Sequence, residues 1–181
     1  MTHPPTILRD TAEKQPYKLL DASLVRYEPR RLLFGDYALE SQCVRAFAET
    51  WVPRFAVERK SVSDWIASWH GKTKANGYSA GHAERRKMVA AKAYSKTLGY
   101  QCRFHYVLDG METDIMNALR GHPWKSKGLT LDAVTDKMNE IRISGYHVIL
   151  CAHKLHAERT TRSLLLAHEA KYGPVPGWEG E

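Results

Sequence analysis

Pro53-Arg54-Phe55-Ala56-Val57-Glu58-Arg59-Lys60 mixes apolar and charged side chains and runs straight into Ser61-Val62-Ser63-Asp64. As a strand, residues 53–60 put Phe55 and Val57 on one face and Ala56, Glu58 and Lys60 on the other, with Arg59 pointing away from Glu58. Ser61 with Asp64 three residues on has the form of a helix start, and Trp65, Ile66 and Trp69 follow on one face. The segment therefore predicts a strand that hands directly to a helix, with a carboxylate and an ammonium side by side at its end. Gly35-Asp36 lies about twenty residues upstream, and a neighbouring strand carrying Asp36 can set a second carboxylate beside Glu58. Two carboxylates with open coordination positions suit Mg²⁺, a hard ion that keeps waters and binds through one or two carboxylates plus phosphate. Lys60 beside them can orient or help deprotonate an attacking water and screen charge at a scissile phosphate. Asp64, in the first helical turn, is favoured there by the helix dipole and can reach the metal through water.

Each of these residues also has a plainer reading. Asp36 can be a turn residue after Gly35, Glu58-Arg59-Lys60 a solvated strand edge, and Asp64 the partner of Ser61 in a capping box. Taken singly, the plainer reading is the commoner one. The combination, on adjacent strands and at the following helix start, is what points to chemistry.

Outward from this centre, Thr6 to Asp10 reads as a short strand, and Leu24–Glu28 and Leu32–Glu40 as two more, separated by Pro29 and joined as a hairpin. Lys72 to Gly81 is polar and glycine-bearing, expected to be a mobile loop. His82 to Leu98 favours helix, with Gly99 placed to end it. Cys102–Leu108 reads as a buried strand, Asp109-Gly110 as a turn, 111–119 as a helix and Gly121–Gly128 as a second basic loop. Thr130 can cap a helix with apolar positions Leu131, Val134, Met138 and Ile141, which Gly145 ends. Tyr146–Cys151 is a strand, and a last helix runs from about Leu155 to Tyr172. The order predicts a single α/β domain over residues 1–172, a mixed sheet flanked by helices with one edge built as an antiparallel hairpin, followed by a flexible tail over 173–181.

The 181 residues are 43% hydrophobic and 26% charged, with 27 Lys and Arg against 20 Asp and Glu, a net charge of +7. That is globular composition, and its basic balance is compatible with a polyanionic partner. No apolar run approaches the roughly 18–20 residues that span a bilayer, and Met1 to Asp10 lacks the apolar core of a secretory signal. Cys43, Cys102 and Cys151 form neither a close pair nor a disulfide framework, which favours a reducing compartment. Cys151, His153 and His156 lack the paired spacing of a structural zinc site. Lys72, Lys74, Arg85, Arg86, Lys87 and Lys92, with Lys125 and Lys127 in the second loop, are candidates for phosphate contact; for any one of them a solvated surface is the plainer reading. Trp51, Trp65, Trp69 and Trp124 could stack on exposed bases, although Trp65 and Trp69 fit a core better. Tyr94, Tyr100 and Tyr106 are assigned to packing. His70, His82 and His147 are left out as bases, because a metal-bound water needs none.

Gly35-Asp36, a spacer, then Glu58-Arg59-Lys60 with Asp64 four residues on resembles the motif of the XPF/MUS-type structure-specific nuclease domain, a branch of the restriction-endonuclease-like fold. Ile7-Leu8-Arg9-Asp10-Thr11-Ala12-Glu13-Lys14-Gln15-Pro16 is similar to that family's opening segment, with Ala12 where the family has arginine. Phe104 to Gly110 and Gly145 to Leu150 resemble two of its later strands, so the likeness spans about residues 6–170. It implies a Mg²⁺-dependent DNA endonuclease (Mn²⁺ substituting) that cuts branched, flap or junction DNA, of the kind used in repair and recombination in the cytoplasm or nucleus. By the resemblance, Asp36 and Glu58 hold the metal with Asp10 and Glu13 nearby, Lys60 assists the water and Asp64 supports the site. Arg59, the remaining motif residue, fixes a helix or a phosphate. The family works as dimers, so a homodimer or a partner subunit is expected, with Ala157, Leu164 and Leu165 of the last helix as a contact surface unless that helix only covers the sheet. Two rivals stand beside this reading: a catalytically silent DNA-binding or scaffold protein of the same fold, and a different restriction-like nuclease.

Overall fold

The structure, a computed structural model, describes residues 4–13, 16–17, 25–46, 49–70, 81–121 and 128–178. Among the described residues, short apolar runs punctuated by Gly, Pro and Asp form eight strands: β1 (Thr6–Asp10), β2 (Arg26–Leu32), β3 (Tyr37–Leu39), β4 (Cys43–Arg45), β5 (Thr50–Pro53), β6 (Phe55–Ser61), β7 (Arg103–Asp109) and β8 (Val148–Cys151). Among the same described residues, the longer periodic segments form five helices: α1 (Val62–His70), α2 (His82–Leu98), α3 (Glu112–Arg120), α4 (Leu131–Ile143) and α5 (Lys154–Tyr172). The sheet runs β4-β5-β2-β1-β3-β6-β7-β8. β6, β7 and β8 are mutually parallel, and β3 runs antiparallel to both β1 and β6. Parallel neighbours need a long crossover, and here the crossovers carry α1 with α2 and then α3 with α4. This is the expected mixed sheet of an α/β domain.

Alternation along β6 sorts the core into two layers. Ala56 joins Phe104, Tyr106 and Leu108 of β7 under Trp65, Ile66, Ala91, Ile115 and Val134 of α1 to α4. Phe55 and Val57, on the other face, meet Ile7, Tyr37, Leu39 and Val107 beneath Ala157 and Leu165 of α5. The last helix therefore spends Ala157 and Leu165 on the sheet, which leaves neither as a contact surface for a second subunit. Trp65 and Trp69 are core residues, not base-stacking platforms. Trp51 is half-buried on β5, and Trp124 lies outside the described residues.

The expected hairpin does not form. β1 inserts between the two segments, pairing parallel with β2 and antiparallel with β3. β2 also runs through Pro29 rather than stopping at it. Arg26 N–H donates to Pro5 O and Thr11 N–H to Arg30 O, so the even-numbered residues of β2 bond to β1. Pro29 therefore faces away from β1, toward the side where, among the described residues, β5 pairs with Arg31 and Leu32, and its missing N–H breaks no ladder bond to β1. The segment 53–60 begins two residues later than expected because Pro53 closes β5, and β4 and β5 were not foreseen. Within the expected tail, Val175 is buried and its N–H donates to Ser41 O, 2.8 Å. The loop expected to be mobile at 72–80, and 122–127 of the second basic loop, lie outside the described residues. Among the described residues, no helix is long and apolar enough to cross a membrane.

Candidate active site

The site begins at a glycine. Gly35 has φ +78°, and a Cβ there would lie 2.4 Å from Ala56 Cβ. Only glycine lets β3 start this close to β6. The approach lets Asp36 N–H donate to Val57 O (2.8 Å), while Asp36 O accepts from Asp10 N–H (2.8 Å) and its carboxylate accepts from Arg59 N–H (2.7 Å). Three strands are thus tied together at Asp36. Tyr37 pairs with Val57, so Asp36, one residue before, and Glu58, one residue after, extend the register from the same end.

Glu58 and Lys60 share one face of β6, as the alternation requires. Glu58 is 3% exposed. Its Oε1 accepts from Lys87 Nζ and lies 3.5 Å from Lys60 Nζ. Its Oε2 is buried and, among the described residues, has no hydrogen-bond partner. Lys60 bridges onward to Glu84 Oε1 at 3.0 Å, and Glu84 Oε2 accepts from Tyr106 OH at 2.9 Å and lies 4.0 Å from Lys87 Nζ. Two buried carboxylates and two ammoniums therefore alternate, and Asp36 adds a third carboxyl group. Glu84 was missed by the sequence reading. Its signal is its place on the buried stripe of α2, seven residues before buried Ala91 with half-buried Met88 between them.

The charges show in the acidities. Burial raises the Asp36 carboxyl well above its ordinary 3.8, with Glu58 pushing further the same way against Lys87 and the Arg59 N–H. Burial would also raise Glu84, but Lys87 and Lys60 prevail and lower it. Burial would lower Lys87, yet Glu58 and Glu84 raise it. Because folding raises the Asp36 value, this group's stabilising contribution is full below pH 3.8 and is lost as the pH climbs through the raised value. Above pH 3.8 the metal-free protein thus bears the cost of this buried carboxyl, whether as an ion or as a proton taken up. Asp36→Asn is expected to raise its thermal midpoint at neutral pH, with the gain shrinking as the pH falls toward 3.8; calorimetry across pH checks this.

Arg59 occupies the opposite face. Its guanidinium donates to Asp109 Oδ2 at 2.6 and 3.0 Å, lies 3.6 Å from Glu13 Oε1 and stacks over the Tyr17 ring at 4.9 Å. Tyr17 OH donates to Asp109 Oδ1, 2.8 Å. Arg59 therefore secures the end of β7 and the segment after β1, and the structure brings Glu13 to Arg59. Asp10 accepts from Leu32 N–H through Oδ1, 3.0 Å, closing the β1–β2 end. Asp64 is exposed and accepts from the Ser61 hydroxyl, whose oxygen in turn accepts from Asp64 N–H: the capping arrangement. Arg59→Ala is expected to cost about 3 kcal/mol by stranding the half-buried Asp109, read as a lowered thermal midpoint with DNA affinity nearly unchanged.

Among the described residues, no group of three or more His, Cys, Asp and Glu is arranged around a metal position. A two-carboxylate site is the arrangement that fits. A buried carboxylate oxygen with no donor is costly, and a hard divalent ion beside Glu58 Oε2 and Asp36 would satisfy it, with waters and phosphate completing its shell.

No protein-family model and no curated protein matches the chain. Two solved structures of XPF from Aeropyrum pernix do match, one of them a complex with DNA. They align over 91% and 92% of this chain with TM-scores of 0.53 and 0.55, at 15% and 16% identity. The chain has the fold of XPF. It spans 65% and 66% of the length of those XPF chains, and the shared fold is the restriction-endonuclease-like one expected from the motif. On this XPF fold the basic candidates separate. Arg85, Arg86 and Lys92 are exposed on α2, whereas Lys87 turns inward to Glu58. Lys72, Lys74, Lys125 and Lys127 lie outside the described residues.

Proposed function

We propose that this chain is a Mg²⁺-dependent DNA endonuclease acting on branched, flap or junction DNA. The observation that carries the reading is Glu58, buried beside Asp36 and Lys60 with one carboxylate oxygen unpartnered, on the fold of XPF. Solution of XPF as a complex with DNA supports DNA as the partner. Asp36 and Glu58 would hold Mg²⁺, or Mn²⁺ in its place. When bound there, such an ion would acidify a water and offset charge on the scissile phosphate. Lys60, held between Glu58 and Glu84, presents a fixed ammonium to the water and the phosphate without reorganising when charge develops. Asp36 is fixed by the Arg59 N–H, and Arg59 by Asp109, so the scaffold on one face sets the geometry of the other. A second copy or a partner subunit would complete the DNA grip.

The test incubates purified protein with labelled duplex, flap, fork and four-way junction DNA, with and without Mg²⁺. Mg²⁺-dependent cutting of the branched forms is expected. Uncut DNA in every lane with Mg²⁺ present would leave the silent DNA-binding reading in its place. Affinity for the same DNA should fall with salt at a log–log slope of roughly −3 to −6, at ~0.9 per neutralised phosphate. A slope near zero removes nucleic acid as the partner.

A further inference from the structure

Lys87 lies three residues after Glu84 on α2, and the two side chains meet the site differently. Glu84 is fixed: 3% exposed, it holds the Tyr106 hydroxyl and the Lys60 ammonium. Lys87 spans from the rim. Its side chain is 31% exposed, against 4% for the Glu58 it pairs with and 13% for Lys60. Its ammonium rests on Glu58 Oε1, on the same carboxylate as the unpartnered Oε2 that a divalent ion would take. A divalent ion at Glu58 and Asp36 would face this ammonium within a few ångströms in a partly buried site, where like charges repel strongly. The long stem and open rim give Lys87 a way out, and Arg85 and Arg86 stand exposed on the same helix, where an arriving phosphate would offer a replacement partner.

We propose that Lys87 is a built-in competitor for the metal position: it neutralises Glu58 in the metal-free protein and swings to DNA phosphate when substrate binds. Metal and DNA then bind cooperatively, since each favours the state in which Lys87 has left Glu58, and the coupling is reciprocal. The inference rests on the reading that Asp36 and Glu58 hold the metal. It also assigns Glu84 a positioning role, because Glu84 keeps Lys60 in place when Lys87 departs.

The experiment measures Mn²⁺ binding without DNA, by calorimetry and by its effect on the thermal midpoint. It compares wild type, Lys87→Met, Lys87→Gln, Lys87→Arg and Glu58→Gln. Lys87→Met is expected to lower the metal-free midpoint and to bind Mn²⁺ more tightly, by roughly 5- to 150-fold, the usual span of a coupling between two ligands. Lys87→Gln is milder and tests the same point should Lys87→Met fold poorly. Lys87→Arg should stay near wild type, and Glu58→Gln should lose the binding. DNA affinity measured without metal should fall in Lys87→Met, with its salt slope shallower by about 0.9. Equal Mn²⁺ affinity in wild type and both neutral Lys87 variants, with loss in Glu58→Gln, overturns the competitor and spares the metal site. Mn²⁺ binding that ignores Glu58→Gln overturns the metal site, and the competitor with it.

Discussion

Glu58→Gln is expected to lower Mg²⁺-dependent cleavage by at least ~10²–10³-fold, the loss that follows removal of a single preorganised electrostatic contact to the reacting group. The substitution keeps the volume of a side chain that is 3% exposed, so packing is nearly preserved. What it removes is the charge that would hold the metal and that now pairs with Lys87. DNA affinity without metal should hold or rise, because one of the negative charges facing the phosphate is gone. Lys60→Ala should cut cleavage comparably while Mn²⁺ binding persists, since the role proposed for its ammonium is toward the water and the phosphate and not toward holding the ion. The measurement is a single-turnover rate for each variant on the best substrate of the DNA panel, with affinity on the same strand. Glu58→Gln cutting at the wild-type rate would place the active site elsewhere.

The centre of this site was legible because it is local. Alternation along β6 put Glu58 and Lys60 on one face, and Ser61 with Asp64 marked the start of α1. Gly99 at φ +72° ends α2, and Thr130 caps α4 by accepting from Ala133 N–H, both as their residue types demand. Strand pairing was not legible, because it depends on chain segments far apart in sequence. Nothing in residues 24–40 announces that β1 will pass between the two halves of the expected hairpin. Pro29 looks like a terminator, but its place on β2 turns its missing N–H away from β1. Lys87 shows the same gap on the level of function. It was read with Arg85 and Arg86 as one basic surface, but a helix distributes neighbours around its axis. The turn that leaves Arg85 and Arg86 exposed carries Lys87 inward to Glu58.

Gly35→Ala should damage stability and cleavage together. At φ +78° an alanine is strained, at a cost of about 1–3 kcal/mol. Its methyl would also stand 2.4 Å from Ala56 Cβ, and overpacking of this kind costs about 1–3 kcal/mol more. Ala56 cannot yield, since it is fully buried in the layer that holds Phe34 and Phe104. The sum, about 2–6 kcal/mol, should lower the thermal midpoint by about 4–24 °C for a domain of this size. Relief would come from moving β3 away from β6, which breaks the Asp36–Val57 backbone bond and carries the Asp36 carboxylate from the Arg59 N–H. A displacement of about 1 Å at a reacting group can cost ~10²-fold in rate, so cleavage should fall even at temperatures where the variant is folded. Adding Ala56→Gly removes the steric part and should recover some of the midpoint, leaving the backbone strain. Asp36→Asn separates the two effects: it too should stop cleavage, but with a raised midpoint in the metal-free protein, because there the loss is of a buried ionisable carboxyl and not of a position. An unchanged midpoint in Gly35→Ala would mean that β3 and β6 are not in the contact that sets Asp36 beside Glu58.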